Sequence, residues 1–403
     1  MIGPVEGAGA LRARLEAIVG ALAEVETLLA PAPFRESAPA WIGTQPQLAE
    51  HLLGLDDAAV DALELDTAAL SGSLARIDAR YAGARELARI GAWPRRGPAL
   101  PAAEPPHVPG RKWAQIRAFL GALAPDAGPA VDWCAGKGHL GRQLHLRGGG
   151  AVRCIERDAR LCEEGEALAR GLPLRFERRD VVADPPALAA GERIAALHAC
   201  GHLHDALLAR TRAARPRGLA LAPCCYHLGA DAHASWQPHS RSGPRAGLPD
   251  ELVRLAVRET VTAPARVRRR RRTERTWRLA FEGLRRTLEP ERPAYRPLPS
   301  ISGRLLAAGF EAFCAQGAAH FGLALPRRLD THHWLAVGAA ADARARRLDL
   351  ARAPWRRLLE LRMVLDRALA LAEEGYEVGV GTFCPRPLTP RDLLILAERR
   401  EPG

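Results

Sequence analysis

The stretch Val131-Asp132-Trp133-Cys134-Ala135-Gly136-Lys137-Gly138-His139-Leu140 decides how this 403-residue chain is read. Its first part, PAVDWCA (129–135), is a short apolar run of the length of a buried strand. KGHLGRQLHLR (137–147) then repeats apolar residues at helical spacing. Between them Gly136 and Gly138 give the backbone the freedom for a tight strand-to-helix turn. Such a turn leaves helix N–H groups pointing outward. Taken alone, it is a feature of any tight βα connection, and Cys134 stands where G-x-G-x-G would have its first glycine.

The same rhythm continues outward from the turn. RKWAQIRAFLGAL (111–123) reads as a helix before the strand, and AVRCIER, LRFERRD, RIAALHAC and GLALAPCCY read as further strands. DARLCEEGEALARG and HDALLARTRAAR read as helices between them. Strands alternating with helices at these short spacings predict a parallel sheet covered on both faces. Near the C-terminus LRMVLDRALALAEEG is a long helix, and EVGVGTF and DLLILAER are strands joined by CPRPLTPR, whose prolines suit a turn. The expected fold is therefore α/β, a Rossmann-like, mostly parallel sheet closed by an antiparallel C-terminal hairpin.

Five segments follow from this pattern. Residues 1–95 form an N-terminal helical region and 96–110 a Pro-rich linker. Residues 111–228 are the sheet core, 229–345 a largely helical insertion with an arginine-rich run, and 346–403 the closing helix and hairpin. LRARLEAIVGALAEVETLL, PQLAEHLLGL, DDAAVDALELD and LARIDARYAGARELARI give the first segment its helical periodicity, and it contains no catalytic constellation.

Acids stand at successive strand ends. Asp132 precedes the glycine turn, Glu156 ends the next strand 20 residues after Gly136, and Asp180 ends the one after it. An acid at the position of Glu156 can accept both hydroxyls of a ribose. Together with the turn they point to a nucleotide-like cofactor. Nicotinamide dinucleotides and S-adenosylmethionine share this grammar, but the turn lacks the G-x-G-x-x-G of dinucleotide sites.

Two more strand ends carry chemistry. One reads Leu197-His198-Ala199-Cys200-Gly201 with His202 and His204 beyond, the other Pro223-Cys224-Cys225-Tyr226-His227. In a doubly wound sheet these ends flank the cofactor crevice. His198 and His227 are candidate proton acceptors, and Tyr226 and Cys200 candidates for orienting an acceptor. The alternative is a zinc site. H-x-C-x-H-x-H with C-C-x-H is not a usual zinc signature, so no metal is expected. Cys154, Cys162 and Cys314 read as small buried hydrophobes.

The formal net charge is +12, which favours polyanionic partners such as RNA. Of the 58 basic residues only Lys112 and Lys137 are lysine, so the arginine excess also reads as a compositional habit of the coding sequence. Lysine retained at those two places suggests a compact point charge is wanted, before the first core strand and inside the glycine turn. The densest charge is Arg266-Val267-Arg268-Arg269-Arg270-Arg271-Arg272, with Trp277, Arg278, Arg285 and Arg286 following. Arginine binds phosphate bidentately and a tryptophan stacks on bases, so Arg268, Arg269, Arg270, Arg271 and Arg272 are candidate RNA contacts; a solvated basic face is the other reading. No run of about 18 uncharged apolar residues spans a membrane. The N-terminus has no signal-peptide layout, and the eight cysteines read as reduced thiols in the cytoplasm. Nothing points to an obligate protein partner.

The pattern D-W-C-A-G-K-G-H-L-G, L-H-A-C-G and P-C-C-Y resembles a methyltransferase-like family. It includes the eukaryotic proteins called ribosomal RNA adenine dimethylase domain-containing and glutathione S-transferase C-terminal domain-containing. Arg111-Lys112-Trp113 is similar to that family's basic segment, and Pro387-Leu388-Thr389-Pro390-Arg391-Asp392-Leu393-Leu394 to its closing hairpin. The likeness covers residues 110–228 and 355–398. It implies a class I methyltransferase fold with S-adenosylmethionine as cofactor, held by Asp132, Gly136, Gly138, Glu156 and Asp180. Lys112, Cys134, Lys137 and His198 complete the expected cofactor site. The H-x-C-G and C-C-x-H features are also similar to tRNA 2′-O-methyltransferases of the acceptor stem, which favours RNA modification. The N/D-P-P-Y/F signature of base N-methyltransferases is missing, as is a cysteine/histidine zinc-finger module. The expected chemistry is in-line displacement at the sulfonium methyl, aided mainly by holding donor and acceptor in line. A protein or small-molecule acceptor, or a non-catalytic RNA-binding factor of this fold, remains the alternative.

Overall fold

The computed structural model describes residues 3–105, 107–228, 235–258 and 264–399. Contacts divide the chain into two compact units. One lies within Met1–Glu24, Ala84–Thr262 and Arg356–Gly403, and the other within Val25–Gly83 and Ala263–Trp355.

The first unit is built on eight strands: β1 (Val5–Glu6), β2 (Ala130–Trp133), β3 (Val152–Glu156), β4 (Leu174–Arg178), β5 (Arg193–Cys200), β6 (Gly218–Cys224), β7 (Tyr376–Thr382) and β8 (Leu393–Arg399). Their order is β1-β7-β8-β6-β5-β2-β3-β4. Strands β2 to β6 pair in parallel, and β8 runs antiparallel to both β6 and β7. The expected mostly parallel sheet with a closing antiparallel hairpin is what forms. Strand order reverses between β2 and β5, the place where open α/β sheets bind ligands at the carboxyl ends of their strands. β2 and β6 are buried at every residue, as strands covered on both faces must be. β1 was not foreseen; two residues carry no pattern of their own, and Val5 and Glu6 are ordered by pairing with β7.

One covering layer comes from the helix Gly110–Gly121, whose Trp113, Ile116, Phe119 and Leu120 pack with Ala195, Ala222, Leu394 and Leu396 of the sheet. The Pro-rich approach to it is not free: the Trp93 indole donates to Leu394 O at 3.0 Å, and Val108 joins the same core. The helix Arg356–Ala372 is buried along Leu358–Leu371 despite its charges. Each charge has a partner: Glu360 accepts from Arg357 and Arg391, Asp366 from Ser240, and Arg367 donates to Asp205. Buried charges persist only when paired in this way.

The second unit cuts across the segments expected from sequence. Residues 25–83 of the N-terminal region associate with 263–355 of the insertion, while 1–24 and 84–95 belong to the sheet unit. Arg346 pairs with Asp61 and Glu64, Arg352 donates to Leu29 O, and Tyr81 donates to Ala351 O. Periodicity marks which face of a helix is buried but not which distant helix covers it. Residues 229–234 and 259–263 of the expected insertion lie outside the described residues; between them the helix Asp250–Val257 is described. Among the described residues no helix is long and apolar enough to cross a membrane.

Candidate active site

The glycine turn sits where the sequence places it, between β2 and the helix His139–Gly148. Cys134, Gly136 and Gly138 all have positive φ, at 58°, 58° and 65°. Cys134 therefore adopts a conformation normally left to glycine, which costs a side chain about 1 kcal/mol or more. Gly138 has a second reason to be glycine: a Cβ there would stand 2.6 Å from Phe176 Cζ. Gly136 differs, since a Cβ would meet nothing nearer than Lys112 Nζ at 3.9 Å. The turn is open above Gly136, with the Lys112 ammonium over it.

The three acids hold this end of the sheet together. Asp132 is buried and accepts from Gly141 N at 2.8 Å, tying the strand end to the first turn of the following helix. Burial pushes its carboxyl up to about 7, against the pull of the Gly141 N–H and of Lys112. Glu156 accepts from Gly136 N at 2.9 Å through one oxygen, and from Arg157 N and Asp158 N at 2.8 and 2.9 Å through the other. A carboxylate has about four acceptor positions, so three N–H groups leave room for one more donor. Asp180 accepts from Val182 N and Ala183 N, which hold its carboxyl below the usual range. The Cys134 thiol lies within electrostatic reach of Glu156, Asp132, Cys200 and Asp180, and burial first, then these neighbours, push it up to about 12.

Lys137 does not point its charge at this group; it pairs with Glu164 on the helix Ala159–Leu168. His139 Nδ1 lies 2.6 Å from an Arg142 nitrogen, and burial, helped by Arg142, lowers the imidazole to about 4.

The two Cys/His strand ends converge. β5 slips register between Leu197 and Cys200, so that Cys200 lies opposite Cys224. His198 makes the irregularity at φ 63°. Its ring packs 6.4 Å from that of Phe383, and burial depresses its imidazole to about 4, leaving it neutral. Gly201, at φ 55°, admits the backbone of Leu228, whose carbonyl accepts from His202 N at 2.8 Å. Lys112, Cys225 and Arg391 are the charged or titratable groups that act on His198. Arg391 escaped the sequence reading as a site residue; it lies in the closing hairpin, donates to Glu360, and also acts on Cys225. Its only sequence signal was its place in PLTPRD.

Tyr226 is a correction. It was expected to orient an acceptor, but its hydroxyl is buried and directed to Pro223 O at 3.3 Å. Its ring lies against His204 and the Arg367 guanidinium, so it serves the packing behind the strand ends.

The arginine run is helical and exposed: Arg268 to Arg272 lie on Ala265–Leu288 in the second unit. Arg272 is 3.3 Å from Asp61. Its expected continuation is corrected. Trp277 packs against Phe310 and Phe313, and Arg285 is fully buried between Glu282 and Glu289. Arg278 and Arg286 are spent on Glu274 and Glu282. The basic face is thus limited to the first turns of the helix.

Residues 111–231 match a family model described as a methyltransferase domain. Over these residues the chain is similar to methyltransferase domains. This stretch covers the strands β2 to β6 and the whole group of acids, cysteines and histidines described above. Solved structures give distant likenesses. The 23S rRNA methyltransferase ErmE is 19% identical over 27% of this chain and 44% of its own, with a TM-score of 0.22. A geranyl diphosphate C-methyltransferase from Streptomyces coelicolor A3(2) is 18% identical over 38% and 63%, at 0.22. The cyclopropane synthase MmaA2 from Mycobacterium tuberculosis is 14% identical over 75% and 90%, at 0.26. The chain thus spans less than two thirds of the length of the first two.

Proposed function

We propose that the protein is a cytoplasmic S-adenosylmethionine-dependent methyltransferase acting on RNA. The observation that carries the reading is the Glu156 carboxylate, fixed by three backbone N–H groups beside the open Gly136 turn, in a domain that matches a methyltransferase family. The residues fit the cofactor. Glu156 keeps one acceptor position for a ribose hydroxyl, Asp132 would serve the amino-acid portion, and Asp180 the adenine edge. Lys112 lies above Gly136 for the carboxylate end, while Cys134, Gly138 and Lys137 shape the turn. Bound there, S-adenosylmethionine supplies an electrophilic methyl group on its sulfonium.

The chain's own part is to position. His198, at the carboxyl end of β5, stands beside the crevice to orient the acceptor and take its proton where the acceptor is a hydroxyl. The Cys200 thiol donates to the His198 backbone carbonyl at 3.4 Å. The exposed Arg268–Arg272 turns support RNA as the acceptor class, because they offer clustered guanidinium groups of the kind that grip phosphates. Eight free cysteines support a reducing compartment.

The test is methyl-labelled S-adenosylmethionine incubated with the protein and lysate of a deletion strain, separated into RNA, protein and small-molecule fractions. Label in RNA, lost on ribonuclease treatment and reduced in the His198→Ala enzyme, is the expected result. Label in another fraction replaces the acceptor. No label in any fraction, with S-adenosylmethionine bound, would make this a non-catalytic binding protein. Wild-type turnover by His198→Ala removes the proton-acceptor role.

A further inference from the structure

The backbone is bent in two places to bring three sulfurs together. Cys200 Sγ is 3.0 Å from Cys224 Sγ, and the Sγ atoms of Cys200, Cys224 and Cys225 all lie within 4.8 Å of one another. Regular strands would not do this. Neighbours in a strand point to opposite faces, so Cys224 and Cys225 should diverge. Instead Cys225 leaves β6 at φ 48°, which turns its thiol back toward Cys224. The register slip in β5 brings Cys200 across from the same residue.

The three sulfurs alone make up that cluster; His227, two residues beyond Cys225, lies outside it. Its Nδ1 is buried and has no hydrogen-bond partner, and a buried polar atom left so is costly. Cysteine binds metal as the thiolate.

We propose that Cys200, Cys224 and Cys225, with His227 as the fourth ligand, bind a zinc ion. Three cysteines and a histidine are a common structural zinc set. Zn–S bonds of about 2.3 Å in a tetrahedron put sulfurs about 3.8 Å apart, inside the spread found here. Binding releases the remaining thiol protons to solvent. The ion ties the carboxyl ends of β5 and β6 together at the wall of the crevice and leaves His198 to the methyl acceptor. The sequence argued against a metal because C-C-x-H with H-x-C matches no zinc signature; the signature fails because the spacing works only with Cys225 outside the strand. This inference is independent of the proposed activity.

The experiment is a cobalt(II) titration of the full-length protein, purified under reducing conditions and stripped with a chelator, without S-adenosylmethionine. One equivalent is expected to give the intense visible bands of tetrahedral cobalt with thiolate charge transfer, bleached by zinc(II). Cys200→Ser and Cys225→Ser should weaken uptake by at least the roughly 10- to 100-fold that loss of even a supporting group costs a metal site. His227→Ala should alter the cobalt bands while keeping charge transfer, and Cys314→Ala should change nothing. The wild-type titration stands even if a variant misfolds. Octahedral or absent cobalt bands in reduced wild-type protein overturn the proposal. So does undiminished uptake by the Cys200→Ser/Cys225→Ser double variant, or a Cys200–Cys224 disulfide with no metal uptake once it is reduced.

Discussion

The Gly136 N–H donates to the Glu156 carboxylate at 2.9 Å, so the glycine turn after β2 is held by the acid that ends β3. The same carboxylate receives Arg157 N and Asp158 N. Glu156→Ala leaves all three donors to water, whereas Glu156→Gln keeps an oxygen for one side. Hydrogen bonds to a charged group contribute about 1.5–3 kcal/mol. Amide hydrogen exchange should therefore show Gly136 losing protection in Glu156→Ala and losing less in Glu156→Gln. Equal protection in all three proteins contradicts this geometry.

The two glycines of the turn should respond differently to alanine. Both have positive φ and incur about 1–2 kcal/mol of backbone strain. Only at Gly138 does the new Cβ also press on Phe176, 2.6 Å from Cζ, and overpacking of this kind adds about 1–3 kcal/mol. Denaturant unfolding should place Gly138→Ala clearly below Gly136→Ala in stability. The reverse order would mean that the turn is not packed on β4 as described.

The buried Asp132 makes stability depend on pH. Its carboxyl is raised by burial to about 7, against about 3.9 in an unfolded chain. A raised carboxyl binds its proton more tightly in the folded state, so its stabilising share is complete below about pH 4 and is lost as pH rises toward 7. The full loss is at most about 4 kcal/mol. Asp132→Asn keeps an oxygen for Gly141 N and removes the titration. Subtracting its stability from that of wild type should give a difference that falls between about pH 4 and pH 7 and then levels; parallel curves contradict the buried carboxyl.

Much of this site could be read from residues close in sequence. The run from Val131 to Leu140 and the spacing from Gly136 to Glu156 depend only on strand and helix periods, and both elements formed at the expected places. Features set by distant chain were not legible. Trp277 and Arg285 continue an arginine-rich run in sequence, yet they face inward because Phe310, Phe313, Glu282 and Glu289 receive them. Tyr226 follows two cysteines at a strand end, but its direction is decided by His204 and Arg367. The three sulfurs meet through a register slip and one left-handed residue, and neither has a pattern in composition or spacing.

The exposed arginines give a prediction about RNA. Replacing Arg268 to Arg272 with alanine removes clustered charge from a helical face without touching the buried Arg285. Each phosphate contact contributes roughly 0.7–0.9 to the slope of log affinity against log salt. Filter binding across a salt series should show weaker RNA binding and a shallower slope in the variant. An unchanged slope means that these arginines are a solvated face.

Calorimetric titration of the protein with S-adenosylmethionine decides whether the crevice over Asp132, Gly136 and Glu156 holds the cofactor. A saturable single site is predicted, weakened at least roughly tenfold by Glu156→Ala, which corresponds to about 1.4 kcal/mol. No binding by folded wild-type protein, or equal affinity in wild type and Glu156→Ala, would contradict it.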